Sequence, residues 1–345
     1  MVDNVIRTDA VIVGAGPVGL FSIFQLGLLG LRCHVIDNLD RPGGQCTQLY
    51  PEKPIYDIPS RPKCTGQELT DDLLKQASPF DPVFHFSDQA ESLVRLENGD
   101  WRLGTSMGLV FEAPVIVIAG GAGSFVPKRP RLEGIDDFEE KSVFYAVRRM
   151  EDFRDKRVVI AGGGDSALDW TLNLQPIASD LTLVHRREEF RGAPDSVSQM
   201  RALVDAGKMR LVIGTVEGLE GSDGQLHAVR VKHKADGREE DIPADAFMPF
   251  FGLKISLGPI AEWGLNRDHN RIVVDPGTFA TDQPGIYAVG DVCTYPGKLK
   301  LILSGFHEAA VMAHAAFAYA RPDEKMVTGY TTTNSELQQR LGVAG

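Results

Sequence analysis

Two glycine-rich hexapeptides, Gly14-Ala15-Gly16-Pro17-Val18-Gly19 and Gly162-Gly163-Gly164-Asp165-Ser166-Ala167, lie about 150 residues apart in a chain of 345. In each, the first glycine permits a tight turn and the middle one lets backbone approach a pyrophosphate. The small third residue, Gly19 or Ala167, lets a helix pack close to its strand. A helix opening on such a turn offers unsatisfied N–H groups and a positive dipole end to phosphate oxygens. A chain that binds two dinucleotides passes electrons between them, and a flavin with a nicotinamide is the leading pair.

The residues that end the next strand tell the two sites apart. Eighteen positions beyond Gly19 stands Asp37, a carboxylate able to accept hydrogen bonds from an adenosine ribose hydroxyl. Eighteen beyond Ala167 stands His185, followed by Arg186 and Arg187. A carboxylate repels a 2′-phosphate, whereas paired guanidinium groups grip it through charge-assisted, bidentate hydrogen bonds. The contrast predicts FAD or NAD at the first site and NADP(H) at the second. Arg191 is a further candidate for that phosphate.

The elements that must position these residues are legible nearby. Ala10-Val11-Ile12-Val13 and Val158-Val159-Ile160-Ala161 are short apolar runs of the kind that form buried parallel strands. Each precedes a glycine turn and an amphipathic or apolar helix. The uncharged stretch from Ala10 to Leu31 could pass for a signal or membrane segment, but the spaced glycines Gly14, Gly16 and Gly19 fit a buried strand, turn and helix. The expected fold class is α/β, with two Rossmann-like dinucleotide-binding domains, the second, NADP(H)-binding one inserted into the first. The expected boundaries are 1–120 and 280–329 for the first domain and 121–279 for the NADP(H) domain, with 330–345 as a C-terminal extension. Two connections of this kind would act as a hinge.

Composition narrows the function. A net charge of −11 argues against a general nucleic-acid surface. The four cysteines, Cys33, Cys46, Cys64 and Cys293, show no C-x-x-C pair and no metal-ligand spacing, so they read as reduced thiols of a cytoplasmic protein.

The twin glycine motifs, together with Gly285-Ile286-Tyr287-Ala288-Val289-Gly290-Asp291 and Val184-His185-Arg186-Arg187, resemble the two-dinucleotide-binding-domain flavoproteins, of which thioredoxin reductase is one. That resemblance implies FAD at the first site with Asp291 on the flavin ribityl chain, and NADPH at the second. The redox C-x-x-C of thioredoxin reductases is absent, since the corresponding stretch, Ser142 to Arg149, holds no cysteine. Residues Gly43-Gly44-Gln45, Leu49-Tyr50-Pro51-Glu52-Lys53, Ile55-Tyr56-Asp57, Ser256 to Ile260 and Gly290 to Thr294 resemble the ferredoxin–NADP reductases of thioredoxin-reductase-like type. The implied activity is electron transfer between NADPH and ferredoxin or flavodoxin, by hydride transfer to FAD and then single-electron steps, in a homodimer. Tyr50 and Tyr330 would stack on the flavin, with no acid or base residue required. Gln45, Ala90, Phe125 and Thr332 would line it by the same resemblance. An acidic carrier requires a locally basic face, for which Lys128-Arg129-Arg131, Arg148-Arg149 and Lys298 with Lys300 are candidates. An NADPH oxidase or diaphorase using oxygen or quinone, and a non-catalytic flavin redox sensor, need the same two sites and remain alternatives.

Overall fold

The computed structural model describes residues 5–326 and 335–340. The chain forms two compact units: Met1–Ser124 with Ile255–Gly345, and Phe125–Lys254.

The first unit begins its central sheet with β1 (Ala10–Val13), which runs through the glycine turn into α1 (Pro17–Leu28) and then β2 (Cys33–Ile36). After the short α2 (Gln45–Gln48) and α3 (Gly66–Ala77) come β3 (Val83–His85) and β4 (Val115–Ile118). Strand β1 is buried along its whole length, as a central parallel strand covered on both faces must be.

In the second unit, β5 (Arg157–Ala161) leads into α4 (Asp165–Leu174) and β6 (Asp180–His185). Helix α5 (Pro194–Asp205), β7 (Arg210–Ser222) and β8 (Ala246–Pro249) follow. The first unit then resumes with β9 (Ile286–Ala288) and the long α6 (Ile302–Ala320).

The first unit's sheet has the order β9-β4-β1-β2-β3, every neighbour parallel. The second repeats the parallel core as β8-β5-β6-β7. It then continues antiparallel through Gln225–His233 and Glu239–Pro243. Each unit has its own apolar core. The protein is thus an α/β chain of two Rossmann-like units, the second inserted into the first. Among the described residues, no helix is long and apolar enough to cross a membrane.

The crossing points differ from those expected. The chain leaves the first unit at Ser124/Phe125, just past the Gly120–Gly123 turn, and returns at Lys254/Ile255, well before residue 280. The reason is packing. Leu257, Ile260, Leu265, Ile272 and Val274 are all buried in the first unit's core, and Ile272 and Val273 pair in parallel with Cys293 and Thr294. The Asp275-Pro276-Gly277 sequence is therefore a turn inside that unit and not a connection between domains.

Candidate functional site

At the first turn, Gly14 adopts φ +112°, and a Cβ there would lie 2.5 Å from the Ala119 carbonyl oxygen. A Cβ on Gly19 would lie 2.0 Å from the Gly14 carbonyl, so helix and turn touch backbone to backbone. Gly16, by contrast, faces open space, with nothing within 4 Å of an added Cβ. Pro17 opens α1, where its missing N–H costs no hydrogen bond. This is a cradle whose walls are backbone and whose floor is left clear. It suits a pyrophosphate.

Asp37, at the end of β2, is buried, and its carboxylate accepts hydrogen bonds from Ala15 N (2.6 Å) and Leu39 N (2.9 Å). Burial pushes its pKa up, while those two N–H groups act in the opposite sense. The carboxylate thus clamps the glycine turn and keeps lone pairs for a sugar hydroxyl. Behind it, Asp37 N donates to His85 O (3.0 Å) and Asp88 N to Asp37 O (3.1 Å). These bonds fix the segment leading to the buried Ala90.

Gly43 and Gly44 bring a second loop onto the turn. Gly43 N donates to Ala15 O at 2.8 Å, and a Cβ on Gly44 would stand 3.2 Å from Gly16 Cα. Gln45 follows at the start of α2. Tyr50 is half-buried, and the nearby Cys46 thiol acts on its phenol. Lys53 Nζ stands 5.6 Å from its ring centroid, a cation–π distance.

Burial first, then Cys46 and Asp291, raises the Tyr50 pKa, and burial lifts the Cys46 thiol to about 11. Both groups keep their protons. Asp291 acts electrostatically on both and is itself half-buried. Its carboxylate has no hydrogen-bond or ion-pair partner among the described residues. Open glycine cradle, clamped acid, tyrosine face and unspent carboxylate fit the diphosphate, ribose, ring and polyol of FAD.

The second turn repeats the first. Gly162 N donates to Val184 O (3.0 Å), as Gly14 N does to Ile36 O (2.8 Å). A Cβ on Gly162 would lie 2.7 Å from the Phe250 carbonyl oxygen, and Gly164 faces open space like Gly16. Leu168 N to Gly164 O (3.2 Å) is the first bond of the helix, so the N–H groups of Asp165, Ser166 and Ala167 have no intrahelical acceptor.

His185 is buried, and its Nε2 lies 3.2 Å from Glu189 O. Its pKa is lowered, by burial foremost and then by Arg187, Arg186 and Arg191, despite the opposing bond to Glu189. Arg186, Arg187 and Arg191 are exposed and form no ion pair among the described residues. Three unspent guanidinium groups around a neutral ring suit a 2′-phosphate. The Asp165 carboxylate is directed elsewhere: it accepts from Ala193 N at 2.8 Å and anchors the loop that carries Arg191.

Other expectations fall differently. Phe125 is the first residue of the second unit, whereas Gln45, Tyr50, Ala90 and Asp291 belong to the first. Tyr330 and Thr332 lie outside the described residues. Lys298 is no surface cation: its side chain is 4 % exposed and paired with the fully buried Glu308. Arg129 is paired with Asp136 and Glu139, and Arg149 with Asp152.

Glu308 was missed by sequence reasoning, although a signal exists: no other Asp, Glu, Lys or Arg occurs in the 19 residues of α6. All four cysteines are buried and free, and burial raises every one of their pKa values. None supplies the thiolate that a dithiol relay needs.

The pyridine nucleotide-disulphide oxidoreductase family matches residues 8–316. A protein named ferredoxin–NADP reductase from Parvibaculum lavamentivorans is 58 % identical over 344 residues, covering 100 % of both chains. Another of that name, from Mesorhizobium japonicum, is 57 % identical over 99 % of each. The chain belongs to this ferredoxin–NADP reductase family. The likeness also holds in three dimensions: thioredoxin reductase from Lactococcus lactis superposes with a TM-score of 0.75 at 21 % identity, over 91 % of this chain and 99 % of that one. Thioredoxin reductase from T. acidophilum gives the same TM-score over 90 % and 98 %. The family shares the architecture of those enzymes, while this member lacks the C-x-x-C.

Proposed function

We propose that this chain is an FAD-dependent ferredoxin–NADP reductase, exchanging electrons between NADPH and ferredoxin or flavodoxin. One observation carries the reading: two phosphate cradles of the same build end in opposite chemistry, Asp37 at one and His185 with three unpaired arginines at the other. Bound FAD would supply the conversion of a hydride's electron pair into two single electrons.

The protein's part is positioning. The Gly14–Gly19 turn and Asp37 hold the adenosine diphosphate half, and Asp291 takes the ribityl hydroxyls. Tyr50 shields the ring from water, keeping its proton on Oη while Cys46 keeps its own on Sγ. In the second unit, the Gly162–Ala167 turn takes the NADPH pyrophosphate and Arg186, Arg187 and Arg191 take its 2′-phosphate. Gln45, Ala90 and Phe125 are assigned to the flavin surroundings by resemblance. We place the protein in the cytoplasm as a homodimer, a setting that suits four buried reduced thiols.

The acidic carrier has two separate candidate docking patches, the exposed Lys128, Arg131 and Arg148 of the second unit and Lys300 of the first, and none of these residues forms an ion pair among the described residues. The test is NADPH-dependent cytochrome c reduction by the FAD-loaded protein with and without ferredoxin, at rising salt. A strong requirement for ferredoxin that weakens with salt is expected. Turnover that ignores ferredoxin but consumes oxygen or quinone would reassign the protein as an oxidase or diaphorase.

A further inference from the structure

We infer that Glu308 is a positioning residue for the flavin: its buried carboxylate fixes the turn that presents Asp291, with Lys298 as its counter-charge. This rests on the FAD reading of the first unit. Glu308 sits on α6 with no exposed surface, yet it meets donors from a single loop. Gly290 N donates to Oε2 at 2.6 Å and Tyr295 Oη to Oε1 at 2.8 Å. The Lys298 ammonium also donates to Oε1. The Cys293 thiol lies 3.6 Å from Oε2 and closer, 3.2 Å, to the Gly290 carbonyl. The Lys298 ammonium stands 5.6 Å from the Tyr295 ring centroid.

Residues 290–298 are thus gathered around one carboxylate, and one of its contacts is the backbone N–H immediately before Asp291. Gly290 needs that hold, because it adopts φ +80° and has no side chain to lock it. The same helix is pressed onto the other end of the cradle. A Cβ on Gly305 would lie 2.3 Å from Val18 Cγ2, and one on Gly290 would lie 3.4 Å from the same atom. Val18 belongs to the first glycine turn. The polyol acid and the pyrophosphate turn are therefore referenced to one helix, and Glu308 is the polar link between them.

A buried ion pair is weak evidence of stabilisation, since an apolar pair of similar volume can replace it at little cost, whereas breaking it strands a charge. That asymmetry separates positioning from stability. The test is FAD titration of the apoprotein by fluorescence quenching, with apoprotein thermal unfolding and NADP+ binding measured in parallel. The double variant K298M/E308Q removes both charges but keeps a carbonyl oxygen for Gly290 N–H. It should bind FAD within about threefold of wild type. K298M/E308L removes the acceptor as well and should bind FAD at least about tenfold more weakly, with NADP+ affinity unchanged. E308D keeps the charge for Lys298 but draws the carboxylate back from Gly290; an intermediate FAD loss is expected.

Wild-type FAD affinity in K298M/E308L would overturn the inference. If that variant does not fold, E308D decides, and undiminished FAD binding there overturns it equally. Failure of the wild-type protein to bind FAD would instead sink the proposed function.

Discussion

The two nucleotide turns are the same backbone object carrying different instructions. Besides the matching bonds at Gly14 and Gly162, Ala119 N reaches Val13 O and Phe250 N reaches Ala161 O, both at 2.8 Å. Gly43 N to Ala15 O and Arg191 N to Gly163 O, again both 2.8 Å, tie an outer loop to the same position of each turn. What differs is the side chain ending the second strand. Asp37 is short enough to bond the N–H of Ala15, so that position tolerates a methyl group. The His185 ring lies across the equivalent place, where a Cβ on Gly163 would meet its Cε1 at 2.2 Å. On the proposed reading, phosphate binding belongs to the shared turn and coenzyme choice to the side chains that end the second strand, Asp37 at one site and His185 with Arg186, Arg187 and Arg191 at the other.

The largest expected effect breaks this contrast at its charged end. R186A/R187A removes two charge-assisted contacts and should raise the KM for NADPH about 100-fold or more, with that for NADH changed less than about threefold. Bound flavin per chain, read from absorbance, should be unchanged. Equal losses for both coenzymes would show that these arginines do not read the 2′-phosphate.

G163A sharpens the packing half of the comparison. The new methyl must displace the His185 ring, an overpacking cost of about 1–3 kcal/mol, and should weaken NADPH binding by about 30-fold. An unaltered affinity would mean that the ring moves freely. D37N, at the first site, leaves one acceptor where two N–H groups and a sugar hydroxyl compete. It should weaken FAD binding about tenfold in apoprotein titrations and leave NADP+ binding alone.

The smallest effect is on pH dependence, and here the units should agree. His34 and His85 in the first unit and His185 in the second have pKa values lowered chiefly by burial. Below pH 6.5 the unfolded chain takes up protons that the folded rings refuse, so each unit should lose stability gradually on acidification and regain it above that pH. Thermal unfolding at pH 7.5, 6.5 and 5.5 would show the decline. H185N should flatten it in the second unit only.

Much of this was legible in the chain because it is local. Turn, strand and strand-end residue lie within about 25 positions of one another, and each obeys a backbone rule that few other sequences satisfy. The misreadings came from contacts distant in sequence. Asp275-Pro276-Gly277 looks like an interdomain connection until Ile272 and Val274 are seen buried in the first unit's core, next to a strand pairing with Cys293 and Thr294. Lys298 and Lys300 look alike as residues, but α6 supplies a carboxylate only to the first. Asp165 sits at a phosphate-binding position, yet its side chain is spent on Ala193. Sequence spacing located the backbone cradle; side-chain direction depended on partners that only folding brings together.

The ring over Gly163 has a consequence for how such a site can change. Replacing His185 by an acid, to favour NADH, would leave a ring-sized void above Gly163 and set a carboxylate among three arginines. Adding a methyl at Gly163 first would collide with the ring still in place. Neither order offers a neutral first step, so the coenzyme preference of this unit behaves as a ratchet. An engineer seeking to reverse it should change both positions, and the arginines, in a single move.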